Sequence, residues 1–300
     1  MLKVGFVGLG IMGRPMALNL LKAGIDTTVY DINAKAVEVL VEAGAKAASS
    51  PKELAAGSDV VITIVPNAAI VKSLLEAEDG ILAGVKPGTI IVDMSSVSPV
   101  ASQEFATAAA KHDCPFLDSP VSGGESGAIN ATLAYMIGGD EAVVEKIKDV
   151  FLAMGKSITV VGGNGSGSVA KLANQVIVNL NIAAVSEALV LAAKAGADPE
   201  KVYQAIRGGL AGSVVLDAKA PMMVARNFKP GGTLAINLKD ITNVMDTAQS
   251  LDVPLILTSQ LKQIMHSLKA DGHIMDDHGG IVQFYEKLAG VEVRAGGIKK

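Results

Sequence analysis

Two kinds of apolar pattern alternate through the first half of the chain, and only one continues afterwards. Short, mostly apolar runs bounded by glycine, proline or an acidic residue recur at 2–7, 59–65, 89–92, 115–117, 134–137 and 157–161, and Asp26 to Tyr30 reads as a further strand, the second in chain order. Unbroken runs of this kind mark strands buried on both faces, as in a parallel sheet. Stretches of helical period lie between them, some with explicit punctuation. Ser50-Pro51-Lys52-Glu53 offers a capping serine, a proline suited to the first helical position and a capping-box acid, while Gly24 closes a helix ending at Lys22. This reads as an α/β Rossmann-type N-terminal domain over 1–162.

From Gly162 the pattern changes. Gly162, Gly163, Gly165 and Gly167 precede an apolar run reaching Gly196, too long for an ordinary surface helix. Asp198-Pro199-Glu200 then starts a helix closing at Gly208-Gly209, and helical patterns follow at 213–225, 237–250, 254–269 and 276–289. The expected second domain, 163–300, is therefore all-α and begins with a long helix joining the two.

Composition narrows the partners. Residues 169–195 are the one candidate membrane span, but they include Lys171, Asn174, Gln175, Asn179, Asn181, Glu187 and Lys194, which favours a buried helix in a soluble protein with no membrane partner. The net charge is −4 with Lys and Arg scattered, so no basic face for nucleic acid is expected. Cys114 stands alone, which fits a reducing, cytoplasmic location. The N-terminus enters a strand pattern at once, without the plan of a secretory signal. His273, Asp276, Asp277 and His278 crowd together, yet their spacing matches no common metal site. They read as a solvated helix start, and no metal is expected. The tail 294–300 reads as frayed.

Candidate chemistry begins at Gly8-Leu9-Gly10-Ile11-Met12-Gly13, which follows a strand and opens a helix. Gly8 suits a tight turn, Gly10 a close backbone approach to a pyrophosphate, and Gly13 close helix–strand packing, with the amides around Ile11 and Met12 at the helix start. Asp31 ends the second strand 23 positions after Gly8, placed to accept hydrogen bonds from ribose hydroxyls and to repel a 2′-phosphate. NAD(H) is thus favoured; Lys35 nearby keeps NADP(H) possible. The strand ends Val65, Pro66 and Asn67, and Ser95 and Ser96, are further candidate cofactor contacts or ordinary turns. Ser122-Gly123-Gly124 reads either as a carboxylate-binding nest or as a plain Gly-Gly turn. Lys171 reads either as a snorkelling cation or as a proton donor for carbonyl reduction, with Asn174 and Gln175 on the same helix face.

Three motifs in order then decide between these readings: Gly8 to Gly13, D-x-P-V-S-G-G from Asp118 to Gly124, and G-x-G-x-x-x-K-x-x-N from Gly165 to Asn174, with Lys239-Asp240 beyond them. With these the whole chain resembles the β-hydroxyacid dehydrogenase family, which includes 3-hydroxyisobutyrate dehydrogenase. The resemblance implies that Lys171 is the catalytic acid/base, that Ser122, Gly123 and Gly124 hold a substrate carboxylate, and that Asn174 orients substrate or lysine, with Gln175 beside it. It implies that Ser96 and Lys239 reach the cofactor. It also implies a small carboxylate-bearing aldehyde or hydroxy acid as substrate, and a homo-oligomer, dimer or tetramer, formed through the helical domain. The rival class is a non-catalytic dinucleotide-binding protein on the same fold. Ala131, Gly232 and Gly279-Gly280 depart from the family pattern, which usually has glycine, an aromatic residue and Ser-Ala there.

Overall fold

A computed structural model describes residues 2–296, so the last four residues of the tail expected to fray lie outside the described residues. The chain divides into two compact units, between Lys171 and Leu172.

The first unit opens with β1 (Lys3–Val7), α1 (Gly13–Lys22), β2 (Asp26–Tyr30), α2 (Ala34–Glu42), β3 (Lys46–Ala47) and α3 (Pro51–Ala56). It continues through β4 (Val60–Thr63), α4 (Ala68–Glu76), β5 (Ile90–Asp93), α5 (Pro99–Ala110) and β6 (Phe116–Asp118). Then come β7 (Val121–Ser122), α6 (Gly124–Ile129), β8 (Leu133–Gly138), α7 (Glu141–Lys146), α8 (Lys148–Met154) and β9 (Gly155–Gly162). Among the described residues these strands form one sheet in the order β3-β2-β1-β4-β5-β6-β8-β7, with β9 on β8. The stretch from β3 to β6 is parallel, and β8 enters antiparallel to β6 and β7. The direction of strand addition reverses between β1 and β4, the switch point beyond whose carboxyl ends such sheets bind ligands.

The continuous apolar runs have a direct cause. Val60 and Ile62 of β4, with Ile90 and Val92 of β5, enter a core with Met16 and Leu20 of α1. Val61 and Ile91 point the other way, into a core with Leu54, Leu75 and Phe105. Helices therefore cover both faces, and neither set of alternating positions meets water. The start of α3 follows the expected cap with one shift. Ser50 Oγ accepts from Glu53 N at 3.1 Å, but the Glu53 carboxylate returns to the amide of Ser49, at 2.7 Å, rather than to that of Ser50.

Ala131 has φ +53°, in the left-handed region that disfavours a Cβ by roughly 1–2 kcal/mol. Ala131→Gly should stabilise the fold by about 0.5–1 kcal/mol after the extra chain entropy of glycine is subtracted. A urea midpoint shifted upward at constant m-value checks this.

The helix α9 (Ser166–Lys194) runs from the first unit into the second. By length and composition it could cross a membrane, but Ile182 and Leu189 are fully buried in the second unit's core, each contributing roughly 1.5–3 kcal/mol. Its buried Asn179 and Ser186 side chains donate back to the helix carbonyls of Gln175 and Ile182. The second unit continues with α10 (Pro199–Ile206), α11 (Val214–Val224), α12 (Leu234–Ser250), α13 (Ile256–Ala270) and α14 (Val282–Ala289).

The loop before α14 corrects an expectation. It is not a solvated helix start, because Asp277 is fully buried and Gly279 and Gly280 are buried with it. Asp277 pairs with Lys219 at 2.7 Å and accepts from the amides of Gly279 at 2.8 Å and Gly231 at 3.1 Å. Its carboxylate fastens the glycine loop before α12 to the segment that leads into α14. His273 pairs instead with Asp276 at 2.9 Å.

Candidate active site

The glycine loop after β1 behaves as its spacing demands. Gly8 has φ +97°, and a Cβ there would lie 2.2 Å from the Ile64 carbonyl oxygen. A Cβ on Gly13 would lie 1.9 Å from the Gly8 carbonyl oxygen, so α1 could not seat against the loop with any larger residue. Gly10 is the reverse: nothing lies within 4 Å of its would-be Cβ, leaving its backbone open. No side chain caps the start of α1 at Met12, and Ile11 is exposed. An open glycine beside an uncapped helix start of ten residues suits a dinucleotide pyrophosphate.

Asp31 accepts from the amide of Leu9 at 2.6 Å and that of Asn33 at 2.7 Å, one on each oxygen. It ties the glycine loop to the end of β2. Each carboxylate oxygen has capacity for a second donor, so the same group can receive ribose hydroxyls without releasing the loop.

The ends of β4 and β5 are bound together. Thr63 Oγ1 donates to Asp93 Oδ1 at 2.7 Å, and the Val65 amide donates to Ser95 Oγ at 2.9 Å. Ser95 is thus a buried structural tie, whereas Ser96 is half-buried. Pro66 and Asn67 are exposed at the strand end, and Asn67 Oδ1 caps α4 by accepting from the Ile70 amide at 3.0 Å.

Ser122 lies in β7, and the backbone then turns through Gly123 at φ +135° and Gly124 at φ +61° into α6. Lys171 bears directly on this turn. Its Nζ donates to the carbonyl oxygen of Val121, the residue before Ser122, at 2.8 Å. The ammonium is therefore half-buried and held beside the serine-glycine turn rather than extended into solvent. A carbonyl fixes an ammonium in place without neutralising it, which preserves its capacity to give a proton.

Within the second unit, Asn174 Nδ2 donates to Gln175 Oε1 at 2.8 Å, and Gln175 Nε2 donates to Asp240 Oδ2 at 2.6 Å. Lys239 forms an ion pair with Asp240 Oδ1 at 3.0 Å. The buried Asp240 is thus the centre that joins these expected site residues, a role that sequence spacing did not assign. Asp93 and Asp118 were missed likewise. Each is an acidic residue closing an apolar run, and Asp118 also opens the D-x-P-V-S-G-G motif, but neither signal assigned a role.

A glycine loop at the switch point and a lysine set beside a strand-end serine define an NAD(P)-dependent oxidoreductase acting on a CH–OH group. Residues 3–163 match the model described as the NAD binding domain of 6-phosphogluconate dehydrogenase, and residues 165–285 match that of the NAD-binding region of NADP-dependent 3-hydroxyisobutyrate dehydrogenase. The chain belongs to the β-hydroxyacid dehydrogenase family, the relatives of 3-hydroxyisobutyrate dehydrogenase. It is 43% identical to the 2-hydroxy-3-oxopropionate reductase of Escherichia coli, over 96% of this chain and 98% of that one. It is 37% identical to the 2-(hydroxymethyl)glutarate dehydrogenase of Eubacterium barkeri, over 98% of each chain. The solved structure of a 3-hydroxyisobutyrate dehydrogenase of Mycobacterium tuberculosis with L-serine superposes with a TM-score of 0.88 at 31% identity, covering 95% of this chain and 99% of that one.

Proposed function

We propose that this protein reduces tartronate semialdehyde (2-hydroxy-3-oxopropanoate) to glycerate, reversibly, with NADH as the favoured donor. The observation that carries this reading is the Lys171 ammonium held on the Val121 carbonyl beside Ser122. The E. coli relative bearing that reductase name supports the choice of substrate. NADH, when bound, supplies a hydride to the aldehyde carbon. Lys171 donates a proton from Nζ to the carbonyl oxygen, so the aldehyde becomes a primary alcohol, and in reverse the neutral amine takes that proton back. Ser122 and the Gly123 and Gly124 amides hold the substrate carboxylate, and Asn174 and Gln175 orient the substrate. Gly8, Gly10, Ile11, Met12 and Gly13 cradle the pyrophosphate, while Asp31 receives the ribose hydroxyls and disfavours NADP(H). Val65, Pro66, Asn67, Ser96 and Lys239 contact the cofactor further along.

In this reading residues 1–162 form the dinucleotide domain, and 163–300 form the substrate and oligomerisation domain of a cytoplasmic dimer or tetramer. A sister reaction on 3-hydroxyisobutyrate is the second reading, supported by the family model over residues 165–285.

A panel of small 3-oxo and 3-hydroxy acids, assayed with NADH and with NADPH, separates them. Tartronate semialdehyde with NADH should give the highest kcat/KM, by tenfold or more over hydroxyisobutyrate. A strong preference for hydroxyisobutyrate would overturn the substrate assignment, and absence of turnover across the panel would favour a non-catalytic role.

A further inference from the structure

The residue before the helix that bears Lys171 has no side chain with which to cap it. That residue is Gly165, at φ +93°. The cap comes from another element. Asp118, the last residue of β6, accepts from the Gly165 amide through Oδ1 at 2.7 Å and from the Ser168 amide through Oδ2 at 2.9 Å. Its carboxylate thus meets the positive end of the dipole of a 29-residue helix.

Asp118 stands three residues before Val121, whose carbonyl holds the Lys171 ammonium. One short stretch of chain therefore secures both the start of α9 and the head group of its lysine. The fit is close. A Cβ on Gly167 would lie 2.4 Å from the carbonyl oxygens of Asp118 and Met136, and one on Gly138 would lie 2.5 Å from Asp118 Oδ1. Ser168 Oγ meets Ser102 Oγ at 2.9 Å on the neighbouring side.

The structure assigns to Asp118 the role of a positioning residue: its carboxylate sets the register of α9 on β6 and so places Lys171 Nζ beside Ser122. This rests on Lys171 being the proton donor. Asp118 touches no reacting atom in this scheme and acts through the helix alone. Loss of its negative charge weakens the cap, because an amide or a protonated carboxyl leaves one oxygen-to-amide contact poorly matched. Burial pushes the Asp118 carboxyl up to about 6, against the pull of the Gly165 and Ser168 amides. Asp93, its register partner on β5, adds repulsion, while Gly165 just before α9, Ser168 in its first turn and Gly138 of β8 present no charge.

The test compares the full-length wild type with Asp118→Asn, using NADH and whichever acid of the panel the wild type turns over. The variant should lose kcat by tenfold or more, with KM and the NADH Kd within twofold, and amide exchange over 165–170 should quicken at least tenfold while that of β1 is unchanged. A kcat within twofold of wild type overturns the assignment. So does a loss of NADH affinity as large as the loss of kcat. If the variant does not fold, the wild type decides: kcat should fall as pH drops through about 6 at constant NADH Kd, and a flat profile across that range overturns the assignment. A wild type inactive across the panel counts against the proposed function instead, and amide exchange then judges the cap by itself.

Discussion

Lys171→Ala is expected to lower kcat by about 10²–10⁴-fold, the usual scale for a lost general acid, while NADH affinity stays within a few-fold. The reason is local. The Nζ contact with Val121 O lies beside the serine-glycine turn, whereas the glycine loop is held by Asp31 through the Leu9 amide and does not depend on that contact. Removing the ammonium leaves the aldehyde oxygen without a proton as negative charge develops on it, which raises the barrier only in the transition state. The fold should tolerate the change, because the side chain is half-buried and a hydrogen bond such as that to Val121 O is worth about 1 kcal/mol. Stopped-flow or steady-state kcat, together with NADH fluorescence titration, reads both halves of this expectation. Turnover within a few-fold of wild type would remove Lys171 from the chemistry.

The second large effect is on stability. Asp277→Ala should destabilise the protein by about 3–5 kcal/mol, because it leaves the Lys219 ammonium buried without its counter-charge. The Lys219 side chain is 13% exposed and that of Asp277 is 0% exposed, so water does little to compensate. The Gly231 and Gly279 amides lose their acceptor in the same step. Urea unfolding followed by circular dichroism measures the change. A loss below about 1 kcal/mol, the scale of a surface ion pair, would mean that this hub holds little.

The same site has a definite pH signature. Burial raises the Asp277 pKa, but the Lys219 and Gly279 hydrogen bonds and the nearby positive charge outweigh it, leaving the carboxyl below its ordinary value. A depressed carboxyl contributes stability above the unfolded pKa and loses it as pH falls through the folded one. Burial pushes His278 down to about 4, so the folded state declines a proton that the unfolded state accepts below about 6.5. Both groups therefore weaken the fold in acid, His278 first and Asp277 below it.

Much of the frame was legible without coordinates. The strand runs, the glycine loop, the acid at Asp31 and the helix starts at Ser50 and Asp198 all depend on residues a few positions apart. Periodicity, φ restrictions and capping act over that range, so spacing carries them. The long helix was legible for the same reason, although its exposed Ile177 and Leu191 show that a uniformly apolar run does not tell which face is buried. In the loop from His273 to Gly280, the buried Asp277 was misread because the polar composition suggested solvent, while its partner Lys219 lies 58 positions before it.

By itself the sequence determined the class of fold, the place of the dinucleotide loop and the long helix with a lysine near its start. It left that lysine between two readings, snorkelling cation or proton donor, until a family resemblance chose one. Tertiary structure gave the lysine a partner that no spacing named, by bringing the Val121 carbonyl to it across 50 positions. It also decided which acids organise the molecule. Asp118 reaches Ser168 across 50 positions and Asp240 reaches Gln175 across 65. A buried carboxylate is tolerated only where donors converge on it, and that convergence is made by the packing of distant elements, which no local pattern encodes.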